Sequence, residues 1–259
     1  MRTWLIVILS GLFLFSGVCI LQADESENVE ISEAAEGLDL NAVCELFQDS
    51  ESVEAFEKAL NDPDEGINNL DLDENGEVDF IRVTEEVSDE SHMLILQAVL
   101  GEDECQDVAI IEVEKSEDDY NMQVQGNEVL YGPDYYVVPA VVHIRTWPII
   151  TWLYRPAYKP YVSVYRFGFY PKWWRVHRPL ARHVYVKRTV VWTGRAGFTH
   201  VRTGRIVHTR RIVYKPRTSV MVKKKVVHTP HGTKVTKTTV KKKPGKSPVV
   251  KKKVVKKKR

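Results

Sequence analysis

Charge in this sequence is divided so sharply that neither half can neutralise itself. All 35 acidic residues lie within residues 1–134, where only Arg2, Lys58, Arg82 and Lys115 oppose them, leaving a balance of −31. Residues 135–259 hold no Asp or Glu and 33 Lys plus Arg. The chain-wide value of +2 conceals this division. Blocks of opposite sign either attract one another or take different partners, and they constrain association more than fold.

The beginning of the chain reads as an export signal, residues 1–23. Arg2 supplies a positive end, Leu5 to Leu21 is a mainly apolar run, and Leu21-Gln22-Ala23 offers a small residue at the cleavage position before Asp24. Cys19 offers a lipidation site as the less favoured alternative, because Val18 stands where a small residue is wanted. The chain is therefore expected to reach the periplasm or cell envelope, or to be secreted. Residues 24–37 lack a sustained apolar face and read as a linker.

From Leu38 the pattern becomes helical. Leu40, Val43 and Phe47 share one face, and Val53, Phe56 and Leu60 share another after a break at Asp49-Ser50, where Ser50 or Ser52 can cap. A turn at 61–66 leads into strand-like runs at 78–85, 92–100, 108–114 and 120–125. Met93-Leu94-Ile95-Leu96 is continuously apolar, the pattern of a strand buried on both faces. These features predict an α+β domain over residues 38–139: a helical pair on a small, mainly antiparallel sheet. Cys44 and Cys105 fall inside it, and spacing leaves open whether they pair or stay as separate thiols.

Asp71-Leu72-Asp73-Glu74-Asn75-Gly76-Glu77-Val78-Asp79 is the motif that carries chemistry. It sets oxygen donors at positions one, three, five and nine of an EF-hand-like loop, with glycine at the bend, a spacing suited to Ca2+. Asp71, Asp73 and Asn75 would donate side-chain oxygens, Glu77 its carbonyl, and Asp79 an oxygen directly or through water. Position twelve, normally a bidentate glutamate, is Arg82, and the flanks are rich in strand formers. The site is expected to be structural and of weak extracellular grade, about 0.1 to 1 mM. Glu85, Glu86, Asp89 and Glu90 read as solvated carboxylates rather than a catalytic pair. With no GxSxG, phosphate-loop or HExxH pattern, the chain does not read as an enzyme.

Residues 140–182 interleave aromatic, proline and basic residues, as in Tyr154-Arg155-Pro156 and Trp173-Trp174-Arg175. Such a stretch can lie at a membrane interface, stack on sugars or bases, or pack on the acidic domain as a covering arm. Residues 183–222 read as basic and β-prone, and the lysine clusters from Lys223 as a disordered tail extended by self-repulsion. The scattered histidines lack carboxylate or thiol partners in sequence and read as titrating groups. The basic arm is expected to bind an anionic polymer or membrane surface with steep salt dependence. No reading module for sequence-specific nucleic acid is present.

Residues Asp62 to Asp73, Val78 to Val83, Gln106 to Lys115 and Leu130-Tyr131-Gly132 resemble a family of exported proteins from Bacteroidetes-type bacteria. The similarity runs from about Leu38 to Tyr170 and includes the Trp173-Trp174 neighbourhood. It implies an envelope location, a comparable EF-hand-like loop and an aromatic continuation; the lysine-rich end departs from it. The combined reading is an exported binding or structural protein with a calcium-stabilised acidic domain and a polyanion-binding basic arm. The alternatives are self-assembly of acidic domains on basic arms and, less favoured, an enzyme of envelope polymers.

Overall fold

The computed structural model describes residues 35–141, 143–206, 218–229, 232–242 and 247–258. The expected export signal and residues 24–34 of the expected linker lie outside the described residues.

The helical pair forms where the apolar spacing places it. Helix α1 spans Leu40–Asp49, with the Asp39 carboxylate accepting from the Asn41 amide at 2.9 Å. Helix α2 spans Val53–Leu60, capped by the Ser52 hydroxyl, which accepts from the Ala55 amide at 3.0 Å. Each cap satisfies an amide that the first helical turn leaves unpaired. The two helices meet through Phe47 and Phe56, edge to face with ring centroids 5.3 Å apart.

A six-stranded antiparallel sheet follows in sequence order: β1 Phe80–Ser88, β2 Ser91–Gly101, β3 Glu104–Lys115, β4 Tyr120–Gly126, β5 Tyr136–Pro139 and β6 Phe198–Val201. Two-residue turns join β1 to β2 and β2 to β3, and Asp89 and Asp103 occupy left-handed backbone there, at φ 52° and 55°. Ile81, Val83, Leu94, Leu96, Ile111, Val113 and Val124 join Val43, Phe47, Phe56 and Leu60 in one buried core. Strand β2 lies between β1 and β3 with both faces buried, as its unbroken apolar run requires.

Three expectations need correction. The acidic unit does not end near Pro139, because β6 comes from the basic half and pairs with β5, from Tyr136↔Val201 to Pro139↔Phe198. Residues 182–193 form a helix rather than β-prone chain: α3 Glu128–Tyr131 precedes β5, α4 Pro148–Leu153 follows it, and α5 is Arg182–Thr193. Its valines favour strand, but packing of Tyr185 and Thr189, one turn apart, overrides that propensity. The Tyr185 hydroxyl accepts from the Asp39 amide at 2.9 Å and donates to the Ile67 carbonyl at 3.0 Å.

The lysine-rich end is the third correction. Its described residues form a separate antiparallel sheet, β7 Val220–Thr229, β8 Gly232–Lys241 and β9 Val249–Lys258. Val and Thr between the lysines carry β propensity, and β7 is tied to the main sheet at its start. The Ser219 amide donates to the Cys105 carbonyl at 3.0 Å, the Val222 amide to the Gln106 side chain at 2.9 Å, and Val220 and Val222 join the core. No helix among the described residues is long and apolar enough to cross a membrane.

Candidate functional site

The calcium-type loop connects Leu70 to the start of β1. Asp71 accepts from the amides of Asn75 and Gly76 at 3.0 and 3.1 Å, and Asp73 accepts from the Asn75 amide at 3.0 Å. The Asn75 side-chain oxygen accepts from the Glu77 amide at 2.7 Å. Asp79 lies beneath this curl, 5% exposed, accepting from the Leu72 amide at 2.6 Å. Gly76 sits at φ +86°, a left-handed conformation that a side chain would strain.

Asp71, Asp73, Asn75 and Asp79 are thus gathered on one short loop, whereas the Glu77 side chain is exposed. Arg82, at position twelve, sits on β1 and donates to Gln97 at 3.0 Å. Burial is the main cause that pushes the Asp79 carboxyl up to about 8, and the nearby charges of Asp73 and Asp71 add to it. Burial likewise raises Asp71. Among the described residues no group of three or more His, Cys, Asp or Glu side chains is arranged to hold a metal. The donor set suits a hard cation in type, while its oxygens bond to the loop's own amides.

One cation already reaches this loop from the basic half. Lys237 of β8 pairs with Glu74 at 3.3 Å, its side chain only 12% exposed. Lys241, on the same strand, pairs with Glu104 at 2.6 Å.

The sequence reading missed a second set of buried carboxylates. Glu57 of α2 accepts from the Val83 amide at 2.6 Å, the Ser163 hydroxyl at 3.0 Å and the Tyr161 hydroxyl at 3.2 Å. Burial pushes its carboxyl up to about 7. Glu85, expected in a solvated turn, is 5% exposed on β1. It contacts the His92 ring at 2.7 Å and accepts from the Tyr161 amide at 2.7 Å and from the Tyr158 hydroxyl. Two signals were present: Glu57 interrupts the apolar face of Val53, Phe56 and Leu60, and Glu85 continues the alternation of Ile81 and Val83.

These carboxylates fasten the arm along the outer edge of β1. The Glu85 amide donates to the Tyr161 carbonyl at 2.8 Å, and the Ser163 amide donates to the Val83 carbonyl at 3.0 Å. Thr84 and Val162 form an antiparallel bridge. The arm therefore covers part of both margins, residues 161–163 on β1 and β6 on β5, leaving shorter edges to recruit foreign strands. The Glu85–His92 pair is closed off by Tyr154 and Tyr158, whose rings lie 4.6 and 5.1 Å from the imidazole. Its arrangement is that of a clasp.

Cys44 is buried in α1 and Cys105 is half-buried at the start of β3, with no disulfide joining them. His143 contacts Asp119 at 2.6 Å, and His200 stacks on Tyr135 with centroids 4.2 Å apart, so these two have partners that their sequence neighbourhood did not show. His208 and His231 lie outside the described residues.

The outer strand β9 has a different character. Its register sets Lys237 against Lys253 and Lys234 against Lys256, and Lys251, Lys252, Lys253 and Lys256 are all exposed. Like charges directly opposed across a ladder repel. Comparison with family models, curated proteins and solved structures finds no match.

Proposed function

We propose that this is an exported, envelope-associated binding protein whose lysine-rich sheet takes a multivalent anion, and whose acidic half serves as the folded mount for that sheet. The observation that carries the reading is the lysine-on-lysine register of β8 and β9: Glu74 pairs with Lys237, and residues 135–259 hold no carboxylate to relieve the exposed lysines of β9. A polymer or surface bearing closely spaced phosphate or carboxylate groups would remove that repulsion and release counterions. Calcium in the Asp71–Asp79 loop is the structural part of the proposal. Asp79 and Asp71 are raised by burial and by the neighbouring charge of Asp73, clustered negative charge that a divalent cation would offset.

The test is a titration of the full chain with polyphosphate and with anionic vesicles over a range of salt. The expected result is binding whose logarithm falls linearly with log salt, with a shallower slope after Lys251, Lys252 and Lys253 are changed to Gln. Binding unaffected by salt or by those changes refutes the reading. Vesicle binding without polyphosphate binding identifies the anion as lipid head groups. Salt-sensitive oligomerisation with neither anion present favours self-assembly instead.

A further inference from the structure

Among the described residues, the exposed phenylalanine and tryptophan side chains are Phe167, Phe169 and Trp173, all in one stretch of the arm that also exposes Val162, Val164 and Val176. Packing explains why the rings point outward. The stretch turns back on itself at Phe167-Gly168, where the Arg166 amide donates to the Phe169 carbonyl at 3.1 Å and the Phe169 amide returns a bond at 2.8 Å. Gly168 permits the turn at φ +74°. Below it, Tyr165, Tyr170 and Trp174 all pack on Phe80 of β1, with ring centroids 5.7, 5.6 and 5.4 Å away. This base fills the space beneath the turn and leaves Phe167 and Phe169 53% and 52% exposed.

We propose that the Tyr165–Tyr170 hairpin is a membrane-interface tip, with Phe167 and Phe169 entering the boundary between head groups and acyl chains of a bilayer. The tip carries the two properties that entry needs. Its reciprocal backbone bonds pair the amides of Arg166 and Phe169 within the turn, the Arg166 guanidinium lies 5.1 Å from the centre of the Phe169 ring, and Lys172 and Arg175 are exposed close by in the chain, cations whose stems can reach head groups. The rigid base fixes the rings in advance, so little ordering opposes insertion. A sugar platform fits less well, because the same stretch also exposes the aliphatic side chains of Val162, Val164 and Val176, which suit acyl chains and offer nothing to bond hydroxyls.

Acidic groups border the tip, and they shape how it would bind. Glu102, Asp103 and Glu104 share a surface depression with Arg166 and Phe167, and Glu104 is already paired with Lys241. Glu77 and Asp79 act on the Tyr170 hydroxyl. These carboxylates offset the flanking cations, so insertion is driven by apolar burial and depends only weakly on salt. That separates the tip from the lysine sheet, and the two proposals stand or fall independently.

The experiment uses the full chain and vesicles of phosphatidylcholine with a minor share of phosphatidylglycerol, some brominated in the upper acyl chain. Quenching of Trp173 is read against Trp173→Phe, at high salt to suppress the lysine sheet. The expected result is quenching in the wild type and vesicle binding weaker by about tenfold to a hundredfold in the Phe167→Ser/Phe169→Ser double variant. Because both rings are exposed, polyphosphate binding and thermal stability should be unchanged in that variant. Wild-type vesicle affinity in the double variant overturns the proposal, as does vesicle binding without quenching of Trp173. Loss of polyphosphate binding alone would refute the lysine-sheet reading and leave the tip intact. Protection of Trp173 by a soluble polysaccharide but not by vesicles would make the hairpin a sugar platform and overturn the membrane assignment.

Discussion

Residues 140–206 and 218–258 are equally devoid of carboxylates, yet the structure uses them in opposite ways. In the first region some cations meet groups of the other half: Arg182 pairs with Glu36 at 3.0 Å, Arg195 with Asp49, and Arg188 donates to the Pro63 carbonyl at 2.9 Å. In the second, Lys237 and Lys241 reach carboxylates, whereas β9 presents Lys251 to Lys253 and Lys256 to solvent. Sign of charge does not separate the regions; apolar content does. The first owns Tyr158, Tyr161 and Tyr185, whose rings pack inward and whose hydroxyls are hydrogen-bonded, together with buried Trp174, and beside its lysines the second owns chiefly Val and Thr. Rings anchor a basic segment to an acidic domain, and surface ion pairs alone contribute little.

The largest test of that contrast is truncation. A chain ending at Pro139 loses residues 161–163 from β1 and β6 from β5, and with them the Tyr161 and Ser163 partners of Glu57. It should show no cooperative thermal transition, since two opened edges and orphaned buried carboxylates exceed the roughly 5 to 15 kcal/mol by which domains are stable. A melt matching the full chain would reduce the arm to decoration. By comparison, removal of residues 247–258 should leave the transition of the main sheet nearly unchanged.

Within the arm's clasp, Glu85→Ala should cost about 3 to 5 kcal/mol in denaturant unfolding, because the Tyr158 hydroxyl, the Tyr161 amide and His92 all lose their partner. Glu57 gives the clasp a pH dependence. Its carboxyl, raised from 4.5 to about 7, stays protonated in the folded chain while the unfolded chain ionises. The Glu57 share of stability should therefore fall by about 2 to 4 kcal/mol as pH rises from 4.5 to 7 and stay level above that, the part of the slope that Glu57→Gln removes, while Asp79, pushed up to about 8, adds a fall of the same sign that continues to pH 8.

Calcium at one hundred times its dissociation constant should add about 2.7 kcal/mol to the full chain, a gain lost in Asp71→Ala. No gain in the wild type would reduce the loop to a turn held by its own amides. The two smallest effects differ in sign. Lys253→Gln relieves the opposed Lys237 and should stabilise by about 0.2 to 1 kcal/mol, measurable as a raised midpoint and weakened polyphosphate binding. Arg195→Ala, which breaks a half-exposed pair in the arm, should destabilise by under about 1 kcal/mol.

These contrasts also mark what could be read in the residues. Local information was sufficient for α1, α2 and the strands at 80–126, because caps, apolar spacing and Asp-containing turns act within a few positions. The curled loop at 71–79 was legible for the same reason. What escaped was long-range. Nothing near Tyr161 announces that its amide bonds Glu85, and the valines of α5 favour a strand until Tyr185 finds Asp39 and Ile67. The lysine tail was read as disordered because repulsion was weighed and the tie of Ser219 and Val222 to β3 was not visible. Glu57 and Glu85 were the available hints, since an acid on an otherwise apolar face needs donors from elsewhere.

Closure of the sheet by the arm sets an order of events during synthesis. Val83 leaves the ribosome about 80 residues ahead of Ser163, the residue whose amide caps its carbonyl. At roughly 5 to 20 residues per second, the margin of β1 stays uncovered for several seconds, and that of β5 waits still longer for β6. The nascent acidic sheet is then kept from pairing with its neighbours chiefly by its own negative charge. Its surplus of carboxylates acts as a temporary guard, relieved by the basic residues that follow in the same chain.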